Sequence, residues 1–408
     1  MAISTSDVQA LAKIVFAKGF DDEAIFKNKP GIESCKKTKT FATARGIEVP
    51  LDYGINSSIA GTAAGAVTAL TARKFATATI PQAKLFGYVQ FDHEVVRNAD
   101  AGGAETEVID YVKTQISGTA EALYEELERL FFKSKSGAIA RASATTAPTG
   151  STITLDNATD CSLFRPGMII VSSATDGGAL RTGTPGYATV VSVDPAVPSI
   201  TVDGTITTQI GSITTSDYLY RLNTNYNNGS GQTLPSGLGG WNPITPSSSF
   251  LGVDQTLDPT NLCGTRTTDT SNVETIFVRA RALAQGLVGT AFKEGQIFLN
   301  PLQFAALVAV KESAKFIDGD KEMTFGFKSA KMGGYTFTEA PFADPIYANM
   351  LPRDGMELAT AGDTVWMSDM IFDPATGKYH SAMSVMGNFI CRQPRNLVRI
   401  KLPTVSFT

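Results

Sequence analysis

The chain has 408 residues, which suits two or three domains better than one. Apolar residues make up 43% and charged residues 18%, a composition that belongs to a folded chain and excludes a disordered one. Thirty-five Lys and Arg stand against 39 Asp and Glu, a net charge of −4, so there is no cationic excess for neutralising a polynucleotide backbone.

Ser6 and Gln9 have capping-box spacing, and Val8, Leu11 and Val15 share a helical face, which predicts a short helix stopped at Gly19. Asp21, Asp22 and Glu23 follow, then Lys27, Lys29, Lys36, Lys37 and Lys39 among turn residues. This describes either a solvated arm or one that grips a neighbour or scaffold. Ile47, Val49, Leu51 and Tyr53 then alternate with Glu48, Pro50 and Asp52 at strand period. From Gly54 to Ala72 the chain is almost wholly Gly, Ala, Ser and Thr, and a second extended stretch carries Phe75, Ile80, Leu85, Tyr88, Val89 and Phe91. The expectation is a long hairpin arm with a small-residue tip, reaching roughly 65 Å over twenty residues of strand at about 3.3 Å each. An isolated hairpin is marginal in water, so the limb is expected to be satisfied only by lying over a sister copy. Pro50 and Pro81 suit edge positions.

A long helix is predicted from Ala104 to Phe132, with Val108, Ile109, Val112, Ile116, Leu123, Leu127, Leu130 and Phe131 at steps of three and four. Glu105, Glu107 and Asp110 at its start and Lys133 and Lys135 beyond its end match the macrodipole. The composition then changes: no lysine occurs from Ser136 through Phe292 and no glutamate from Arg129 through Val273. Residues 142–222 read as short strands between Pro, Gly and Asp turns, an inserted small barrel or sandwich. Asp156, Asp160, Asp194 and Asp203 are scattered singly there, as turn residues and not calcium ligands. A Gly/Ser/Pro/Asn-rich loop surrounds Trp241. Helices are expected at 273–287 and 302–313, strands at 296–299, 383–391 and 397–402, and a hairpin joining Met323–Phe327 to Tyr335–Phe337. The fold class is α+β.

The chemistry-bearing residues are sparse. Cys35, Cys161, Cys263 and Cys391 are at least 102 residues apart, with no metal-ligand spacing, and are expected to be reduced and buried. The only histidines are His93 and His380, and His93-Glu94-Val95-Val96-Arg97 places an arginine where a second zinc ligand must stand. No nucleophile elbow, phosphate loop or dinucleotide fingerprint is present. No enzyme, catalytic residue, metal or cofactor is therefore expected. No apolar run reaches the roughly 18 residues of a membrane span, and Met1–Ser6 does not begin a signal peptide, so a soluble chain made in a cytoplasm is expected.

This order of parts resembles the major capsid proteins of tailed double-stranded DNA bacteriophages, the Hong Kong 97 fold. The resemblance is carried by Ala83-Lys84-Leu85-Phe86-Gly87-Tyr88-Val89 onward to Phe132, by Gln296 to Ser313, by Lys331-Met332-Gly333-Gly334-Tyr335-Thr336-Phe337, and by Gly387-Asn388-Phe389-Ile390-Cys391-Arg392-Gln393-Pro394. It implies an N-terminal arm over 1–40, an extended loop over 41–94, and a peripheral domain with its spine helix over 95–141. It further implies an inserted β domain over 142–222, an axial domain over 223–354, and closing peripheral strands over 355–408. The implied function is a shell subunit that forms pentamers and hexamers of an icosahedral head. Partners would be other copies of the chain, a separate scaffold protein, a portal and a decoration protein, with double-stranded DNA enclosed but not read. The implied location is the virion, assembled in the host cytoplasm.

Assembly contacts are expected from Arg45, Tyr53, Arg73, Lys74 and Phe75 of the extended loop and from Leu123 and Leu127 of the spine. Residues 1–40 hold seven Lys against five acids, a formal +2, too weak to draw DNA in, so a separate motor is expected to pump it. Some members of the family cross-link a loop lysine to a peripheral asparagine. Lys74 and Asn388 are the nearest candidates, with a solvated Lys74 the default. Two other readings are a nanocompartment shell of the encapsulin type, which shares the fold, and an extracellular β-rich adhesin, which needs a secretion signal.

Overall fold

The computed structural model describes residues 29–42, 46–54, 58–68, 73–92, 105–133, 135–221, 234–268, 273–289, 294–315, 330–332 and 334–403. The expected helix near Ser6–Val15 and the strand at Met323–Phe327 lie outside them.

The described chain starts with helix α1 (Pro30–Ser34), whose proline occupies the first turn where its missing N–H costs nothing, and strand β1 (Lys36–Thr38). Strands β2 (Gly46–Asp52) and β3 (Phe75–Pro81) then form an antiparallel pair, with helix α2 (Ala63–Thr68) between them. Ile47 faces Ile80, Val49 faces Ala78 and Leu51 faces Ala76, so one face is apolar and Glu48, Pro50, Thr77 and Thr79 take the other.

The hairpin corrects two expectations. Its paired part is seven residues, about 23 Å of strand rather than 65 Å. The second strand changes partner after Gln82: β4 (Ala83–Asp92) leaves the hairpin and pairs along ten positions with β19 (Lys378–Ile390). The limb is also not satisfied by a sister copy alone. Val49, Leu51, Ala78 and Ile80 are buried in the chain's own main core, and the Thr79 amide donates to the Leu251 carbonyl at 2.9 Å.

Helix α3 (Glu105–Phe132) is the spine, about 42 Å long at 1.5 Å per residue. Ile116, Ala120, Leu123, Tyr124, Leu127 and Phe131 face a sheet built on β19. That sheet runs β1, β16 (Glu357–Thr360), β19 and β17 (Trp366–Met367), with β18 (Ile371–Asp373) and β4 also on β19. The Gly87 position on β4 has no room for a Cβ, which would stand 2.8 Å from the Thr119 methyl, so helix and strand approach closely there. Phe131, Phe132, Phe298 and Phe389 meet edge to face with centroids 4.9 to 6.3 Å apart. Residues 30–38, expected as an arm, belong to this body: Ile32 is buried in the core and β1 pairs parallel with β16.

The insertion is a six-stranded sheet in the order β5 (Ala140–Arg141), β10 (Tyr218–Arg221), β7 (Ile169–Ser173), β8 (Ala188–Asp194), β9 (Ser199–Val202) and β6 (Thr152–Thr154). Helix α4 (Ile206–Gln209) accompanies it. Its core of Ile139, Ile153, Leu155, Ile170, Val190, Ile200 and Leu219 is separate from the main one.

Helices α5 (Leu238–Trp241) and α6 (Pro259–Cys263) lie in a segment expected to be axial. Trp241 instead sits in the main core, with its Nε1–H donating to the Phe389 carbonyl at 3.0 Å. The third sheet runs β11 (Thr265–Thr268), β20 (Val398–Lys401), β15 (Tyr347–Pro352), β12 (Gly295–Leu299), β14 (Tyr335–Glu339) and β13 (Ala330–Met332). Helix α7 (Val273–Val288) covers one face through Ile276, Phe277, Ala280 and Ala284, and helix α8 (Pro301–Lys315) adds Leu307. Strand β20, expected among the closing peripheral strands, thus completes the axial sheet.

Candidate assembly surface

Among the described residues no group of three or more His, Cys, Asp or Glu is placed to hold a metal ion. All four cysteines are free and buried. Burial pushes the Cys391 thiol up to about 12 and raises Cys35 further still. His93 lies outside the described residues and His380 is half-buried on β19. No described helix is long and apolar enough to cross a membrane.

The expected loop contacts divide at the end of the hairpin. Arg45 lies outside the described residues. Tyr53 is half-buried against the main core, and its amide donates to the Lys74 carbonyl at 3.1 Å. Arg73 pairs with Asp52, its Nε–H donating to Oδ2 at 2.7 Å, and its guanidinium lies 5.5 Å from the centre of the Phe75 ring. The hydrogen bond from Arg73 holds the Asp52 carboxyl below its ordinary range. Lys74 is exposed, and Phe75 is 58% exposed. Leu123 and Leu127 are buried between the spine and its own sheet, so they serve the subunit's core and are unavailable to a neighbour.

Beyond Tyr53 the described large apolar side chains lose their support. Ile59 is 89% exposed and Val67 73% exposed. The chain from Gly54 to Ala72 carries no charged residue.

A second surface was not singled out by the sequence. On the sheet face opposite the spine, Phe86 and Tyr88 of β4, Trp366 of β17 and Ile371 of β18 stand out, and Tyr88 is 74% exposed. Trp366 is opposite Ser384 and Ser384 opposite Phe86, so the two aromatics flank a small residue across three strands. The Ser384 Oγ is buried between them without a hydrogen-bond partner. Among the described residues strand β4 pairs with β19 and with no other strand, so its second edge has no described strand partner beside these rings. The signal was in the β4 text, where Leu85, Val89 and Phe91 alternate with Phe86 and Tyr88.

This arrangement offers apolar contact area. No protein-family model matches the chain, and no curated protein does. Solved structures do. A chain of the Cyanophage A-1(L) capsid asymmetric unit is 9% identical, with 93% of this chain and 92% of that one covered at a TM-score of 0.51. The capsid of a native GTA particle gives 11% identity over 94% of this chain and 91% of that one, at 0.47. Gordonia phage Cozz gives 12% over 93% and 87%, at 0.41. The first of these carries the assignment, and it is an assignment of fold: the chain has the α+β capsid fold of the Hong Kong 97 type.

Proposed function

We propose that the chain is the major capsid protein of a tailed bacteriophage, a structural and non-enzymatic shell subunit. The observation that carries this reading is the fold shared with the cyanophage capsid over 93% of the chain. Our reading keeps the family's division into arm, extended loop, peripheral domain, insertion and axial domain, with residues 30–38 and 83–92 assigned to the peripheral body because β1 and β4 pair in its sheet.

The exposed surfaces support the reading physically. Water-exposed Ile59, Val67, Tyr88 and Trp366 are stabilised by burial between copies, each large apolar side chain contributing roughly 1.5–3 kcal/mol. Obligate interfaces of shells bury roughly 2,000 to 5,000 Å² or more, and head-to-tail contacts that close about rotation axes give rings, here pentamers and hexamers. With a net charge of −4 the subunit does not condense DNA itself. Double-stranded DNA is enclosed without being read, inside a virion built in the host cytoplasm with a separate scaffold, a portal and a decoration protein.

The test is expression of the full chain, alone and with the scaffold gene from the same genome, followed by negative-stain microscopy and sedimentation. Closed shells or ring capsomers are expected. A monodisperse monomer at concentrations of about 10 µM in both cases, above the micromolar range in which such interfaces associate, overturns the reading. Shells that keep nucleic acid through about 0.5 M salt overturn the statement about DNA.

A further inference from the structure

The third sheet carries a buried cation with no counter-charge against it. Arg399 of β20 is 5% exposed, and its register neighbours are Asn349 of β15 on one side and Arg266 of β11 on the other. Three adjacent strands thus bring two guanidiniums and one amide into a single row on one face, with neighbouring Cβ atoms about 5 Å apart. Phe298, fully buried opposite Asn349, closes one end of the row. The α5 and α6 segments lie over it. Arg399 donates to the Asn242 carbonyl at 2.6 Å, while Arg266 makes only long contacts, to Cys263 Sγ at 3.3 Å and to the Pro259 carbonyl at 3.5 Å.

The polar groups without partners stand together. Arg399 Nε–H is buried without a hydrogen bond, and so are both Nδ2 and Oδ1 of Asn349, a side chain 2% exposed. Exchanging the amide nitrogen and oxygen repairs nothing, because neither atom has a partner. The Tyr347 ring stands 5.4 Å from the Arg399 guanidinium and screens its face, whereas Nε–H lies in the guanidinium plane and needs an acceptor there. Among the described residues neither guanidinium forms an ion pair. Asp344 favours the charged form of Arg399, but its Oδ1 already accepts from the Ile346 amide at 2.8 Å, and Arg266 opposes that charge.

We propose that Arg399, Asn349 and Arg266 form a binding site for a small inorganic anion of halide size, enclosed between the third sheet and the α5 and α6 segments. A water in this place satisfies hydrogen bonds but leaves two like charges uncompensated, which is costly away from solvent. An anion accepts from Nε–H, from Nδ2–H and from the Arg266 fork at once, and such charge-assisted bonds are the stronger kind. The Asn349 Oδ1 then takes a hydrogen bond from a water of the ion's own shell. Exposed Lys401, on the same face two residues beyond Arg399, adds positive potential at the rim. This inference does not depend on the chain building a shell.

The test is urea unfolding of the full chain as chloride is raised from about 1 mM to about 0.5 M, with gluconate holding the ionic strength constant so that screening does not change. The midpoint is expected to rise with chloride, the unfolding constant falling toward tenfold for each tenfold rise in chloride once the site begins to fill. R266Q, which removes the second charge, and N349L, which removes the amide but keeps its bulk, are each expected to flatten the response. R165Q, at an arginine of the insertion whose side chain is 73% exposed, is expected to keep it. A wild-type midpoint indifferent to chloride means that water alone fills the place and overturns the proposal. A response that survives in both R266Q and N349L, or disappears in R165Q, overturns it as well. Should R266Q and N349L fail to fold, crystals of the full chain soaked in bromide decide: an anomalous peak beside Arg399 Nε supports the site, and its absence overturns it.

Discussion

Asn388 ties the closing strand of the peripheral sheet to the hairpin, its Nδ2 donating to the Pro81 carbonyl at 3.0 Å across 307 residues. Its Oδ1 accepts from the Ser236 amide at 2.9 Å and from its own neighbour, the Phe389 amide, at 2.9 Å. The side chain is fully buried, so the hairpin, the Ser236 segment and β19 meet on one amide. Asn388→Ala removes the side-chain partner of three backbone groups in the core and is expected to cost about 2 kcal/mol in chemical denaturation.

The same geometry bears on covalent maturation. An amide already engaged on both its oxygen and its nitrogen is not presented to Lys74, which is exposed next to Phe75 at the opposite end of the hairpin pair from Pro81. Boiled particles are therefore expected to run as a single band near 43 kDa on denaturing electrophoresis. A ladder of higher bands that disappears in Lys74→Arg would show the bond forms after all.

The cysteines should be silent in the native chain. Burial raises all four thiols, Cys391 to about 12, and none forms a disulfide. At about pH 8 an aromatic disulfide reagent is expected to find almost no thiolate until denaturant is added, and then to titrate all four. Rapid modification of even one in native protein would mean that its part of the core opens readily.

Much of the architecture was legible because it rests on local periodicity. The spine, expected from Ala104 to Phe132, is helical over the described Glu105–Phe132, since its apolar steps and terminal charges act within the helix. The strands of the insertion and the helices at Val273 and Pro301 follow for the same reason. What failed was partner choice. The run from Phe75 to Asp92 reads as one strand, and nothing local says that Pro81 and Ala83 belong to different sheets. Leu397 to Leu402 alternates as though Arg399 were solvated, yet Arg399 is buried and donates to the Asn242 carbonyl at 2.6 Å, because a neighbouring segment covers that face. Leu123 and Leu127 were drawn toward assembly by their apolarity alone, which cannot distinguish a core from an interface. The outward rings Phe86 and Tyr88 of β4 stand in a run whose alternation fits a hairpin strand equally well.

Asp160 illustrates the same limit and yields a prediction. As a lone aspartate between short strands it reads as a turn residue, but its Oδ1 accepts from the Lys133 ammonium at 2.7 Å with both side chains largely buried. Lys133 directly follows the spine, so this pair fixes the insertion to the helix end, beside the Arg129 guanidinium that donates to the Gly137 and Ala138 carbonyls. Removing one partner of a buried pair leaves the other charge uncompensated. Asp160→Asn is expected to cost about 3 kcal/mol, and Lys133→Met with Asp160→Leu together to restore most of it. Equal stability of the single variant and the wild type would show the pair to be solvated.

The two exposed apolar surfaces give the sharpest separation of folding from assembly. Ile59 and Val67 lie past the last hairpin pair, and Tyr88 and Trp366 lie on the sheet face away from the spine, so none of the four contributes to a core of its own subunit. Ile59→Asp with Val67→Asp, or Tyr88→Ser with Trp366→Ser, should leave the circular dichroism spectrum and unfolding midpoint within about 0.5 kcal/mol of wild type. Each pair should nonetheless suppress particle formation by tenfold or more, because a charge or a lost ring at a buried contact is repeated around every ring of the shell. Were the tip alone to matter, β4 and its neighbours would be facing solvent in the particle, and the open edge would need another cover. Were neither to matter, the exposed apolar side chains would have no part in assembly, and the contacts between subunits would have to lie on the axial sheet and the outer face of α7, where Val278, Leu283 and Leu287 are also exposed.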